Sequence, residues 1–156
     1  MDKKRGTLST YLSLAAVAGF ISIIARVFLF SSGTGAVVVG IVIDIALIVL
    51  IVLSVIEAKK HLDRATLRSS LVGVIYGGVT AIGSLLFPVS AAVLRTSILR
   101  ADPSIPSSVL NSQIALDTST VMRVLQAVLA VVFSWLLALL VGWIASKIVR
   151  SPEKAA

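Results

Sequence analysis

The chain contains no cysteine and a single histidine, His61. Without cysteine it has no disulfide, no thiol nucleophile, and no thiolate ligand for zinc or an iron–sulfur cluster. One histidine also excludes a haem held between paired histidines. The sequence lacks the HExxH, GxSxG and P-loop motifs and any paired-carboxylate motif. It therefore predicts no metal site, no cofactor and no enzymatic activity.

Charged residues make up only 13% of the 156 residues and aromatic residues 6%, whereas 58% are hydrophobic and the mean hydropathy is +1.07. The apolar residues are concentrated in four runs, at about 8–30, 35–56, 71–94 and 121–148. Each run has the roughly 20 residues that a helix needs to cross a hydrocarbon core of about 30 Å. The sequence predicts an all-α integral membrane protein, with residues 1–156 forming one four-span domain.

Most of the basic residues lie at the run ends that would share one side of a membrane. Three precede the first run, four separate the second from the third, and three lie at or beyond the end of the fourth: Lys3, Lys4, Arg5, Lys59, Lys60, Arg64, Arg68, Lys147, Arg150 and Lys154. The short link at 31–34 carries none. An excess of lysine and arginine in short loops marks the cytoplasmic side. We therefore expect an antiparallel bundle of four transmembrane helices with both termini in the cytoplasm and an outer loop at 95–120.

The net charge of +7 has a topological explanation, so it does not indicate a nucleic-acid partner. Aromatic residues are not interleaved with the basic clusters as they are in many nucleic-acid-binding proteins. Anionic lipid headgroups are the expected partners of these clusters. The first run is too long for the apolar core of a signal peptide and is expected to stay as a span. The absence of an elaborate targeting segment favours a prokaryotic cell (inner) membrane.

Pro88 lies within the third run, where it removes one backbone hydrogen bond and predicts a kinked helix. In the outer loop, Ser107 or Ser108 is suited to begin a short helix that continues to about Ala115. Such a piece would lie on the outer membrane surface or cover the bundle.

Small residues recur at four-residue spacing in three of the runs. They are Ala36 and Gly40 in the second run, Gly73 and Gly77 in the third, and Ala130, Ser134, Ala138 and Gly142 in the fourth. Helices in lipid associate by close packing, and small residues four apart mark helix-packing faces. Two interpretations remain open: docking to other membrane subunits or to copies of the same chain, and packing inside the four-helix bundle.

Asp44 is the one acidic residue deep inside an apolar run. It lies about nine residues into the second run, or about 14 Å at helical rise, near the bilayer midplane. A charged group there costs at least about 2.5 kcal/mol and should face protein or water. Arg26 on the first run differs in depth from Asp44 by roughly four residues, or about 6 Å at helical rise, which an arginine side chain can cover, so the pair Arg26–Asp44 forms a predicted intramembrane polar site. Asp44 is alternatively a proton or cation site, or a charge that docks to another subunit.

These features predict a non-enzymatic accessory or structural subunit of a larger membrane protein complex, which docks through small-residue helix faces. The alternative is a small oligomeric transporter or channel, coupled to protons or cations through Asp44. The expected partners are other membrane subunits, or copies of the chain in a homo-oligomer, together with lipids.

Overall fold

The structure, a computed structural model, describes the backbone of residues 2–29, 34–60 and 64–149 and the side chains of residues 8–25, 38–60 and 64–149. Six helices and no strand are found in this part of the chain. The helices are α1 (Asp2–Leu29), α2 (Thr34–Lys60), α3 (Ala65–Leu86), α4 (Ala91–Ala101), α5 (Ser107–Thr118) and α6 (Thr120–Ile148).

The four long helices, α1, α2, α3 and α6, are long and apolar enough to cross a membrane. They contain 28, 27, 22 and 29 residues, which is about 33 Å or more of helix in each case. The sequence prediction of an all-α membrane protein with four such helices is confirmed at this level.

The third apolar run does not form the single kinked helix predicted over 71–94. Instead, α3 begins at Ala65 and ends at Leu86, and α4 begins at Ala91 after a non-helical stretch. Pro88 explains the break, because it has no N–H to donate to the carbonyl of Ser84 and its ring crowds the preceding turn. Ser90 then begins the new helix, where its hydroxyl accepts a hydrogen bond from the backbone N–H of Val93 at 3.3 Å.

The predicted outer loop at 95–120 is mostly helical. It contains the second half of α4 and all of α5 (Ser107–Thr118), which extends three residues beyond the expected end at Ala115. Ser119 separates α5 from α6, and its hydroxyl accepts a hydrogen bond from the Met122 N–H at 3.2 Å. This single-residue junction turns the chain sharply into the last long helix.

Asp102 stabilises the turn between α4 and α5. Its carboxylate accepts hydrogen bonds from the Ser104 hydroxyl at 2.7 Å and from the Ser104 N–H at 3.0 Å. These bonds, chiefly the hydroxyl bond, hold the pKa of Asp102 below its ordinary value. The stabilisation is therefore present above the ordinary pKa of an aspartate and is lost as the pH falls through the lowered pKa of the folded state.

The variant Ser104→Ala is expected to raise the pKa of Asp102 toward its ordinary value, because it removes the hydroxyl donor and leaves only the backbone N–H. A carboxyl-carbon NMR titration of the labelled protein in detergent measures this shift. Ser107→Ala, a matched change at an exposed serine nearby, should leave the titration of Asp102 unaltered. An unchanged pKa in Ser104→Ala would show that the hydroxyl bond is not the main cause.

α3 packs against α1, α2 and α6, most extensively against α6, and α2 also contacts the other three long helices. The main core cluster joins all four long helices and includes Ala15, Leu47, Val72 and Ala138. A second cluster lies at the end of the bundle where α2 and α6 finish, and contains Val55, Ala58, Ala65 and Ala145. We call this end of the bundle the basic end, since Lys59, Lys60 and Lys147 lie there.

Candidate functional site

The contact between α3 and α6 uses small residues from both helices. An added Cβ at Gly73 would collide with Ala138 and would meet the Ser134 carbonyl oxygen at 2.5 Å. At Gly77 it would meet the Cα of Val131 at 2.9 Å. The backbones of the two helices therefore approach as closely as the absence of side chains allows.

The same interface continues toward the basic end, where Gly142 of α6 faces Ser69 of α3. Between these glycine contacts, the indole N–H of Trp135 donates a hydrogen bond to the Ser70 hydroxyl at 2.7 Å. The small faces of α3 and α6 thus contact each other inside the chain, and Ala130, whose carbonyl oxygen lies 3.1 Å from the built Cβ of Gly77, belongs to them.

Gly40 of α2 has a different environment from the glycines of α3. An added Cβ there would find no atom within 4 Å. Asp44, one turn further along α2, is exposed, as are the apolar side chains of Ile41 and Ile45. We call the surface formed by Gly40, Ile41 and Asp44 the open α2 face.

Asp44 is exposed because it lies in the first half of α2. Nearer the basic end, residues on the same side of this helix are buried. Ile51 and Val55 follow Asp44 by about two and three turns, so they project from nearly the same side. Both are fully buried, at 0% exposure. α3 and α6 therefore cover this side of α2 over its second half and leave its first half open.

A tyrosine of α3 lies near Asp44. The Tyr76 hydroxyl is close to the side chains of Ser22 and Thr80, and it is close enough to the Asp44 carboxylate to interact with it electrostatically. The Thr80 hydroxyl also donates to the backbone carbonyl of Tyr76 at 2.9 Å. We call Ser22, Asp44, Tyr76 and Thr80 the polar cluster. It brings together side chains from three helices.

Sequence reasoning identified Asp44 but missed Tyr76 and Thr80. The only signal available was an isolated tyrosine within an apolar, glycine-rich run, and its register relative to Asp44 depends on how α2 and α3 pack. The predicted partner Arg26 belongs to α1, but its side chain lies outside the described residues. The Arg26–Asp44 pair therefore stays a prediction.

The described residues contain no group of three or more histidine, cysteine, aspartate or glutamate side chains placed to hold a metal ion. A cavity of about 250 Å³ lies between α2 and α6 at the basic end, and its lining, which includes Val52, Val141 and Ile144, is apolar. The polar cluster and the open α2 face, which share Asp44, form the candidate functional site.

Comparison with other proteins adds no homologue. No protein-family model matches the chain, and no curated protein or solved structure is significantly similar to it.

Proposed function

We propose that this protein is a non-enzymatic accessory subunit of a membrane protein complex and that it docks through the open α2 face. The observation that carries the proposal is the exposed carboxylate of Asp44 beside Gly40, which has open space where a side chain would be. The small faces of α3 and α6 are occupied by each other, so the open α2 face remains for a partner helix.

The partner is a transmembrane helix that carries a lysine or arginine at the level of Asp44. Leaving an ionised carboxylate against hydrocarbon costs at least about 2.5 kcal/mol, and an opposite charge within a few ångströms stabilises its charged form. Gly40 lets the backbone of that helix approach closely. A two-fold pairing of two copies through this face would place Asp44 against Asp44, which disfavours a homodimer.

The proposed arrangement in the membrane is an antiparallel bundle with both termini in the cytoplasm, in a prokaryotic inner membrane. Supporting it, the residues of α3 contact α6 in reverse order, from Ser69 with Gly142 to Gly77 with Val131. The lysines at the ends of α2 and α6 supply the positive charge that favours the cytoplasmic side.

Photocrosslinking in native membranes tests the proposal. The chain has no cysteine, so Ile41→Cys carries the only thiol and can be labelled with a benzophenone maleimide. We expect a crosslink to a different membrane protein, at a peptide that bears lysine or arginine within a transmembrane segment. Adding Asp44→Asn should abolish the crosslink, whereas Ile45→Asn, the same amide on an exposed neighbour, should preserve it.

Phe133→Cys is the matched control for labelling, because Phe133 is exposed on α6 in the middle of a span and should yield lipid adducts only. Three results would overturn the proposal: a crosslinked peptide from a second copy of this chain, a crosslink that survives Asp44→Asn, or labelling at Ile41→Cys no different from that at Phe133→Cys.

The second candidate function is a small proton- or cation-coupled transporter or channel, and the polar cluster favours it. The Tyr76 hydroxyl lies near the Asp44 carboxylate and close to the hydroxyls of Ser22 and Thr80, and oxygen atoms are the ligand type that protons and hard cations require. Flux of protons or cations through the purified protein in sealed vesicles, lost in Asp44→Asn, would select this function over the accessory subunit.

A further inference from the structure

A second polar site lies at the end of the bundle opposite the basic end. Here α3 finishes and α6 begins, and the two helices enclose a cavity of about 80 Å³ together with the start of α4 and the end of α5. Its lining combines the polar side chains of Ser84, Asp117, Arg123 and Gln126 with apolar ones that include Phe87 and Leu94.

The break in the third apolar run creates one wall of this cavity. Phe87 and Pro88 belong to the non-helical stretch between α3 and α4, and both line the cavity. Because Pro88 has no N–H, the carbonyl oxygen of Ser84 loses its helical donor. Non-helical backbone is tolerated at the level of a membrane where it is buried in protein or lines a cavity that water can enter.

The opposite wall brings an acid and a base to the same cavity. Asp117 comes from the last turn of α5, and Arg123 and Gln126 follow on the first two turns of α6. Arg123 and Gln126 are three residues apart, so they share one side of that helix. The single-residue junction at Ser119 is what places Asp117 beside them.

The two charges on the cavity wall have no ion-pairing partner among the described residues. Asp117 and Arg123 are half-buried, yet within the described residues neither forms an ion pair or a side-chain hydrogen bond. The amide of Gln126 likewise makes no such bond there. The Ser84 hydroxyl donates to the Ala81 carbonyl at 2.8 Å, which leaves its oxygen available as an acceptor.

We propose that this cavity binds a zwitterion, with an ammonium group against Asp117 and an anionic group against Arg123 and Gln126. A simple anion is disfavoured by the carboxylate and a simple cation by the guanidinium, whereas a ligand with both charges pairs with both residues. A volume of about 80 Å³ holds only a few groups the size of a water molecule. The cavity is partly open, so the charged groups of a small ligand can enter it while the rest of the ligand stays outside.

Two sources supply this chemistry. The cavity lies at the end of α3 and the start of α6, two helices long and apolar enough to cross a membrane, and lipid headgroups would lie near such helix ends. Exposed Phe87 beside it suits the phosphoethanolamine head of a phospholipid with its acyl chains alongside. A free amino-acid-like solute carries the same pair of charges. The experiment below separates the two.

Binding to the purified full-length protein in detergent is measured by calorimetry with three probes: dihexanoyl phosphatidylethanolamine, dihexanoyl phosphatidylglycerol and free phosphoethanolamine. We expect the ethanolamine lipid to bind and the glycerol lipid, which lacks the ammonium group, to bind at least about tenfold more weakly. Binding of free phosphoethanolamine as well would assign the site to a solute; its absence would assign it to the lipid. Both results support a zwitterion site.

Arg123→Gln and Asp117→Asn should each weaken binding at least about tenfold, since each removes one charge-assisted hydrogen-bonding partner. Arg95→Gln is the matched control, because Arg95 is exposed on α4 and does not line the cavity. If Arg123→Gln misfolds, Arg123→Lys, which keeps the charge without the planar fork, replaces it and should bind with intermediate affinity. Equal binding of both lipids, unchanged binding in both charge variants, or no binding by any probe would overturn the proposal and leave a water-filled cavity.

Discussion

Gly73→Leu is expected to prevent stable folding of the bundle. Even the first carbon of a new side chain would collide with Ala138 and with the carbonyl oxygen of Ser134. The oxygen belongs to the backbone of α6, so it cannot rotate away as a flexible side chain would, and the two helices must separate. Overpacking in a close-packed interior typically costs about 1–3 kcal/mol, and three further carbon atoms of leucine add to that cost.

The milder variant Gly73→Ala should fold but lose about 1–3 kcal/mol, despite the better helix propensity of alanine. Gly78 provides a matched control on the same helix, because an added Cβ there meets no atom within 4 Å. Gly78→Ala should be neutral or stabilising by up to about 1 kcal/mol, the difference in helix propensity between the two residues. Gly78→Leu should also be tolerated.

Unfolding in mixed micelles with increasing denaturing detergent, followed by circular dichroism, measures these differences. Size-exclusion profiles separate folded from aggregated protein for the leucine variants. Equal stability of Gly73→Ala and Gly78→Ala would contradict the close contact of α3 with α6.

Leu47→Ala has the second largest expected effect, a loss of about 2 kcal/mol. Leu47 is 1% exposed and belongs to the cluster that joins the four long helices. Leucine-to-alanine changes in the cores of soluble proteins cost about 3–5 kcal/mol. One part of this cost is the lost free energy of transferring the removed carbon atoms from water to the core, and the other part comes from the cavity left behind. Helices in lipid gain little from the transfer term, so mainly the cavity term remains.

Leu53→Ala tests this reasoning by making the same change on the same helix at a residue that is 44% exposed. Lipid can fill the space that it leaves, so its loss of stability should be well under 1 kcal/mol. The same micelle titration compares the two variants. A cost for Leu53→Ala as large as that for Leu47→Ala would indicate that the outer surface of α2 is covered by protein, as it would be in an assembled complex.

The sequence predicted the long helices well where hydrophobicity and length alone decide them. The run at 121–148 corresponds closely to α6 (Thr120–Ile148), because a membrane span must satisfy its own backbone hydrogen bonds and only a helix does so. The sequence prediction was wrong at Pro88, because a single proline is compatible either with one kinked helix or with a break between two helices. Pro88 removes the backbone donor in either case, and only the structure shows that the chain leaves the helix there and lines a cavity with residues of α5 and α6.

The candidate sites were predictable only in part. The depth of Asp44 follows from counting residues along one helix, whereas its neighbour Tyr76 depends on the rotation and register of a different helix. Asp117 and Arg123 are close along the chain, but the sequence did not predict that they line the same cavity. Their placement on one cavity depends on the turn at Ser119 and on the end of α3.

The amino-acid sequence by itself determined that the chain forms four helices long and apolar enough to cross a membrane and that Asp44 lies well inside one of them, because hydropathy and helical rise are properties of one segment at a time. Only the tertiary structure decided which small residues serve packing inside the chain and which stay open. Gly73 and Gly40 look alike in the sequence, yet one faces the backbone of α6 and the other faces open space. That difference arises from the crossing of helices, which no single segment encodes.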